Sequence, residues 1–388
     1  MVDYVSEPSY SLPTYPNAIT GTLGQGDDQY LRRWTLTLTS SGAPLASAGG
    51  SANLGSAFGT APATTAGPPS GDAVVITTET PGFDFRMTFQ VRHADIGTPG
   101  TAEIRVYNLS NTTAAAVIQE FDQVILEAGY QTGHFGIIFR GTIKQFKRGR
   151  ENATDSYLDI FAADGDLAIN HSTIAKTLPP QNTADDRTRA LVDAMKHQAG
   201  LGEGEIAKFP GGVLPRGAVL YGSNADEMYE HARTAGATWS VQDGQLQLLA
   251  STAYKRGDIV VINSGTGMVG VPEVTQDGIY VTTLLNPNVY VKGRVQLDNR
   301  TLNQTFLPGG ANPQGQIFEA PGASGQFGFA QLQPFLASTA QDGVYCILVI
   351  DHAGDTRGLP WYTRLNCLNI NPDQPFDAAL SAGGWSPS

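Results

Sequence analysis

From Phe83 to Val91 the chain reads FDFRMTFQV, with Phe83, Phe85, Met87, Phe89 and Val91 on one side and Asp84, Arg86, Thr88 and Gln90 on the other. A period of two belongs to a strand that turns one face to a core and the other to water. The same period recurs in RRWTLTLTS, where Trp34, Leu36 and Leu38 alternate with Thr35, Thr37 and Thr39. Short runs of this type follow in AEIRVYN, FDQVILEAGY, GIIFRGTIKQF and SYLDIFAAD, which predicts a compact antiparallel β unit. With 45 Gly and 23 Pro in 388 residues and only 15% charged side chains, the chain is turn-rich, which suits a mainly β fold with many short strands.

The length allows two or three compact units. Residues 1–24, rich in Pro, Tyr, Ser and Gly, read as an N-terminal arm that orders by lying on something else. The first β domain covers 25–170, with a Gly/Ala-rich insert at 41–72 and a brief helix from Ser110 to Gln119. Residues 171–257 form a small α+β module. Its first helix, in NTADDRTRALVDAMKHQAG, has an Asn/Thr cap, Asp185 and Asp186 in the first turn, an apolar face of Ala190, Leu191, Ala194 and Met195, and Gly200 as its stop. Its second starts at Asn224, places Ala225, Met228, Ala232 and Ala235 on one face and ends at Gly236. A hairpin turning at Asp243 and Gly244 follows. Residues 258–388 return to strands, separated by loops such as LPGGANPQGQ, and form a second β domain with a C-terminal tail.

The charge balance of 24 − 36 = −12 disfavours a nucleic-acid grip, and the basic stretch from Lys144 to Arg150 reads as the polar end of a hairpin. The N-terminus has no basic flank followed by an apolar run, and no apolar stretch approaches the roughly 20 residues that span a bilayer. Synthesis for the cytoplasm, with no membrane anchor, is the expectation. Two cysteines, Cys346 and Cys367, are too few for a disulfide scaffold or a thiolate metal site. In a hairpin turning near Asp355 they fall nearly opposite each other; a cross-strand bond and a pair of reduced thiols both remain open, the second favoured by a cytoplasmic product.

The stretch DHAGDTRGLPWYT, residues 351–363, brings chemistry-bearing side chains close together. An enzymatic reading uses His352 as general base, Asp351 or Asp355 to orient it and Arg357 to stabilise an anion. In a strand, however, residues 351 and 352 point to opposite faces. The structural reading, which we favour, has Asp355 and Gly358 shape a turn, Arg357 pair locally with a carboxylate and Trp361 pack across the hairpin near His352. Gly265, Gly267 and Gly270 spell GxGxxG after an apolar strand, but Pro272 and a β-branched run follow where a dinucleotide site needs a helix. Asp164 and Asp166 resemble the start of a calcium loop without its later ligands. The six histidines show no metal-ligand spacing. No catalytic residue, cofactor or metal is predicted.

The order of five blocks carries more than any single motif: TPGTAEIRVYNLS, VILEAGY, IFRGTIKQFKRGRENATDSYLDIFAADGD, GMVGVPEVTQDGIYVTTLLNPNVYVKGRVQL and YCILVIDHAGDTRGLPWYTRLNC. Over roughly residues 30–370 this succession resembles the baseplate or tail hub proteins of long-tailed phages, similar in plan to the hub of contractile tails and to the base of the type VI secretion spike. The resemblance implies a structural virion protein assembled in the host cytoplasm. It also implies a homotrimer, each chain contributing two tube-like antiparallel β-barrel domains and a smaller α/β module. The pseudo-sixfold ring so formed would meet the tail tube protein on one side and the central spike and other baseplate proteins on the other, with DNA only passing through its lumen. Two other classes are weighed against it. A β-rich phage adhesin or carbohydrate-binding protein is supported by 14 Tyr, 4 Trp and polar loops. A cell-wall hydrolase would need a paired-carboxylate or metal constellation, and none stands out.

Overall fold

The structure, a computed structural model, describes residues 31–40, 73–77, 85–208, 213–251, 253–275, 278–297, 303–304 and 343–369. The N-terminal arm, the insert at 41–72, Phe83 and Asp84, the loop sequence within 305–342 and the C-terminal tail beyond 369 lie outside the described residues. The chain is mainly β with a small α+β module, as its patterning implies.

In the N-terminal unit the strands are β1 (Arg32–Thr39), β2 (Ala73–Thr77), β3 (Met87–Ala94), β4 (Gly100–Tyr107), β5 (Gln123–Tyr130), β6 (Phe135–Arg150) and β7 (Ser156–Asp164). They lie in the order β3-β4-β7-β6-β5-β1-β2, and every neighbouring pair is antiparallel. Inward positions of all seven strands, among them Trp34, Leu36, Ile76, Met87, Phe89, Ile104, Leu126, Phe139 and Ile160, share one core. Helix α1 (Asn111–Glu120), capped by the Ser110 hydroxyl on the Thr113 N–H, adds Ala114 and Val117 to it.

The α+β module holds β8 (Thr173–Leu178), α2 (Ala184–Ala199), β9 (Gly202–Ile206), β10 (Ala218–Ser223), α3 (Asn224–Thr234), β11 (Ala237–Gln242) and β12 (Gln245–Ala250). Thr183 and Asp186 form a reciprocal capping box at the start of α2, and Gly200 closes it in the left-handed conformation. Strands β8 and β10 make a two-stranded ribbon, while β11, β12 and β9 make a small sheet. Leu191, Met195, Met228, Trp239 and Leu248 fill the core between these layers.

The C-terminal unit contains β13 (Ile259–Ile262), β14 (Glu273–Thr275), β15 (Gly278–Leu284), β16 (Arg294–Leu297), β17 (Asn303–Gln304), β18 (Val344–Asp355) and β19 (Trp361–Asn369). Ile262, Val281, Val295, Tyr345, Ile347 and Leu365 form its core. The two β units share one sheet of fourteen strands, because β18 pairs with β3 from Val349 opposite Ala94 to Asp355 opposite Thr88. This pairing bears on the barrels implied by the family resemblance. Strand β3 has β4 on one edge and β18 on the other, so it has no edge left for β2, and the ladder of described strands runs open from β17 to β2.

Candidate functional site

The stretch 351–363 is the tip of the β18–β19 hairpin. Strand alternation fixes its side chains first. His352 faces inward opposite Thr363, whose hydroxyl lies 2.9 Å from Nδ1, and the ring is buried. Asp351 takes the other face, where its carboxylate is 3.6 Å from the Arg92 guanidinium at the surface. Burial, with the neighbouring His93 ring adding to it, pushes the His352 imidazole down to about 3. A ring neutral at every ordinary pH, closed from solvent and facing away from Asp351, does not form the base–orienter pair of the enzymatic reading.

The turn itself is held from outside the hairpin. Arg86, just before β3, grips the Asp355 carboxylate through Nη2 at 2.8 Å and Nε at 3.3 Å, and the Arg357 backbone N–H donates to the same group at 2.9 Å. Burial alone would raise the Asp355 carboxyl; these hydrogen bonds and the Arg86 charge outweigh it and hold the group below its ordinary value. Thr356 completes the contact by exchanging hydrogen bonds with Met87, the hydroxyl accepting from its N–H at 2.9 Å. From β1, Arg32 donates to the carbonyls of Asp355, Gly358 and Leu359, while its guanidinium stands 5.4 Å from the Trp361 ring. Trp361 packs edge-on against Phe89, centroids 5.3 Å apart, inside the N-terminal core. The tip is therefore a latch: C-terminal hairpin, N-terminal receptor.

A second junction escaped sequence reasoning. Lys292, with φ of 64°, is buried and sends its ammonium to Asp95 at 2.9 Å and to the Ser251 carbonyl at 2.8 Å. Asp95 also accepts from the Thr238 hydroxyl at 2.8 Å, so this one knot joins both β units and the α+β module. A lysine inside the apolar run NVYVKGRVQL was the available signal; its partner had none. At a third junction the Asp164 carboxylate accepts the Gly244 N–H at 3.1 Å. Burial and the adjacent Asp243 push this carboxyl up to about 7.

The other sequence candidates are scattered. Asp166 turns away from Asp164 to pair with Lys144 and Asn170. Gly265 belongs to a turn closed by the Asn263 side chain, and no helix starts after Gly270. Cys346 lies opposite Leu368 and Cys367 opposite Ile347, one position away from the facing arrangement expected, so the thiols point to opposite sides of the sheet and are free. Burial pushes Cys346 up to about 11. No group of three or more metal-ligating side chains occurs among the described residues, and no helix among them is long and apolar enough to cross a membrane.

No protein-family model matches the chain, and no curated protein matches it by sequence. Its structural neighbours are components of phage tails and of type VI secretion. The E. coli c3393 protein, described as a type VI secretion component similar to the bacteriophage T4 tail proteins gp27 and gp5, is 10% identical over 75% of this chain and 76% of its own, with a TM-score of 0.44. The 43 kDa tail protein of prophage MuSo2 from Shewanella oneidensis is 7% identical over 76% of this chain and 94% of its own, TM-score 0.44. The tail protein of Neisseria meningitidis MC58 is 8% identical over 73% and 91%, TM-score 0.44. Likeness at this level assigns no activity and no partner.

Proposed function

We propose that the chain is a non-enzymatic structural subunit of a phage-type tail. In this reading it is a trimeric hub, forming a pseudo-sixfold ring that joins tail tube to central spike and lines a DNA channel. The observation that supports it is the rigid union of two β units in one chain: the β3–β18 ladder, the Arg32 and Arg86 latch and the buried Lys292–Asp95 pair fix their relative position. A ring element must hold two units at a set angle, and three such chains supply six. Closing a ring also pairs strand edges that a lone chain leaves open. The net charge of −12 suits a channel that DNA passes without being bound, and a lumen lined mainly with Lys and Arg would refute that role. The protein is a virion component assembled in the host cytoplasm, with no cofactor. Native mass measurement and negative-stain imaging of the purified chain test this: three copies in a six-lobed ring are expected, and a monomer at assembly concentrations, with no ring in virions, overturns it.

A further inference from the structure

Two open strand edges of opposite charge stand out in this chain. The pairing of β5 with β6 ends at Gln123 opposite Thr142, while β7 accompanies β6 to Arg150. Among the described residues the segment 144–150 therefore has an unpaired edge on the side away from β7. It carries Lys147, Arg148 and Arg150, all exposed. None of the three meets a carboxylate among the described residues: Lys147 lies 6.0 Å from the Tyr157 ring, and Arg148 reaches the Asn111 side-chain oxygen. The second edge is β9, sequence GEGEI, which pairs with β12 on one side only. Its Glu203 is exposed with Lys196 as partner at 2.6 Å, a surface pair of small strength, and Glu205 is half-buried, with Oε2 closed off from solvent and its charge felt by Lys255.

The cations on β6 are split between its two faces, Lys147 on one and Arg148 with Arg150 on the other. Lys147 sits opposite Asp159 on the outer side, whereas Arg148 sits opposite the core residue Leu158. Among the cations that share the outer face with Lys147, Arg86 and Arg105 are engaged with Asp355 and Asp159, and Arg92 lies 3.6 Å from Asp351. What the three exposed cations, divided between two faces, have in common is the edge. An occupant must approach edge-on and bring carboxylates, and the rest of this acidic chain supplies them. Like edges repel, since β6 beside β6 sets cation against cation and β9 beside β9 sets carboxylate against carboxylate. Opposite edges attract, and a contact between two different patches of the same chain is head-to-tail, the kind that closes rings.

We infer that the basic edge of β6 (144–150) docks against the acidic edge of β9 (202–206) of a second copy of this chain. The inference rests on the ring reading and names its subunit contact. The test uses the full chain and three variants, K147E/R148E/R150E, E203K/E205K and the five-fold swap, read by sedimentation and native mass spectrometry with melting temperature as the folding control. Each one-sided variant is expected to weaken self-association by about 100-fold without changing the melting temperature, and the five-fold swap to restore it. Rising salt weakens the parent in the same direction. Where E203K/E205K lowers the melting temperature, E203K alone is read. A parent that stays monomeric overturns the ring reading and this contact together. An oligomer that all variants leave intact overturns only the contact, as does salt-sensitive binding of a DNA duplex that K147E/R148E/R150E abolishes while assembly persists.

Discussion

The Nζ atom of Lys292 stands 2.9 Å from Oδ2 of Asp95, with 2% and 8% of the two side chains exposed. A charge pair closed off from water is held by its partners: the Coulombic attraction offsets desolvation only when the remaining hydrogen-bonding capacity is also met. Here the Ser251 carbonyl and the Thr238 hydroxyl meet it, and both belong to the α+β module or its exit. The pair thus ties the α+β module to the two β units, which the β3–β18 ladder already joins.

Replacing one partner leaves the other charge stranded. Lys292→Met is expected to cost about 3–5 kcal/mol in urea unfolding, and K292M/D95N to recover most of that loss. A K292M protein as stable as the parent would show the pair to be an ornament of the junction.

Gly358 is required by space. A Cβ built there lies 2.4 Å from Oδ2 of Asp355, the oxygen Arg86 holds at 2.8 Å. Gly358→Ala, like Arg32→Ala, is expected to cost about 1–3 kcal/mol, whereas Leu359→Ala stays within about 0.5 kcal/mol. The contrast follows from Leu359 being 85% exposed. Equal shifts in melting temperature for G358A and L359A would contradict the latch.

Local features were legible in the sequence. The alternation in FDFRMTFQV reappears as buried Met87, Phe89 and Val91, and the Thr183 cap and Gly200 stop delimit α2 where patterning places them. Such signals are local because the strand and helix periods are local. The pairing of β3 with β18 joins segments more than 250 residues apart, and nothing in either strand names its partner. The same holds for Arg32 and Arg86: an arginine in a strand end is ordinary until the hairpin it grips is in view. The one-residue offset of the two cysteines accompanies a register shift in β18 between Ile347 and Val349, which a smooth hairpin does not anticipate.

His352 sets an acid limit. Its imidazole titrates at about 3 in the folded chain because burial disfavours the cation. The unfolded ring takes up a proton near its ordinary value of about 6.5. The stability it contributes is therefore complete above about pH 6.5 and is lost as pH falls toward 3, by up to about 1.4 kcal/mol per pH unit. His352→Gln, which keeps a polar partner for Thr363, is expected to flatten this acid arm and to leave assembly unaffected. An unchanged acid arm in equilibrium unfolding would remove His352 as its source.

Asp164 slopes the other way and masks part of that arm. Its folded carboxyl titrates at about 7, raised first by burial and then by Asp243, against an ordinary value near 3.8. The fold holds the proton that the unfolded chain releases, so this contribution is complete below about pH 3.8, declines as pH rises through 7 and then levels off. Between about pH 4 and 6.5 the two groups oppose each other, and the parent profile is flatter than either alone. Asp164→Asn keeps an acceptor for the Gly244 N–H and removes the charge. It is expected to raise stability at pH 8 by about 2–4 kcal/mol and to steepen the fall between pH 6.5 and 4, because the His352 slope is then unopposed. Urea midpoints across pH 4–8 for the parent, D164N, H352Q and the double variant separate the two slopes. A D164N profile parallel to the parent would mean that Asp164 is ionised in the folded chain and that the β11–β12 turn is docked on a charged, not a neutral, carboxyl.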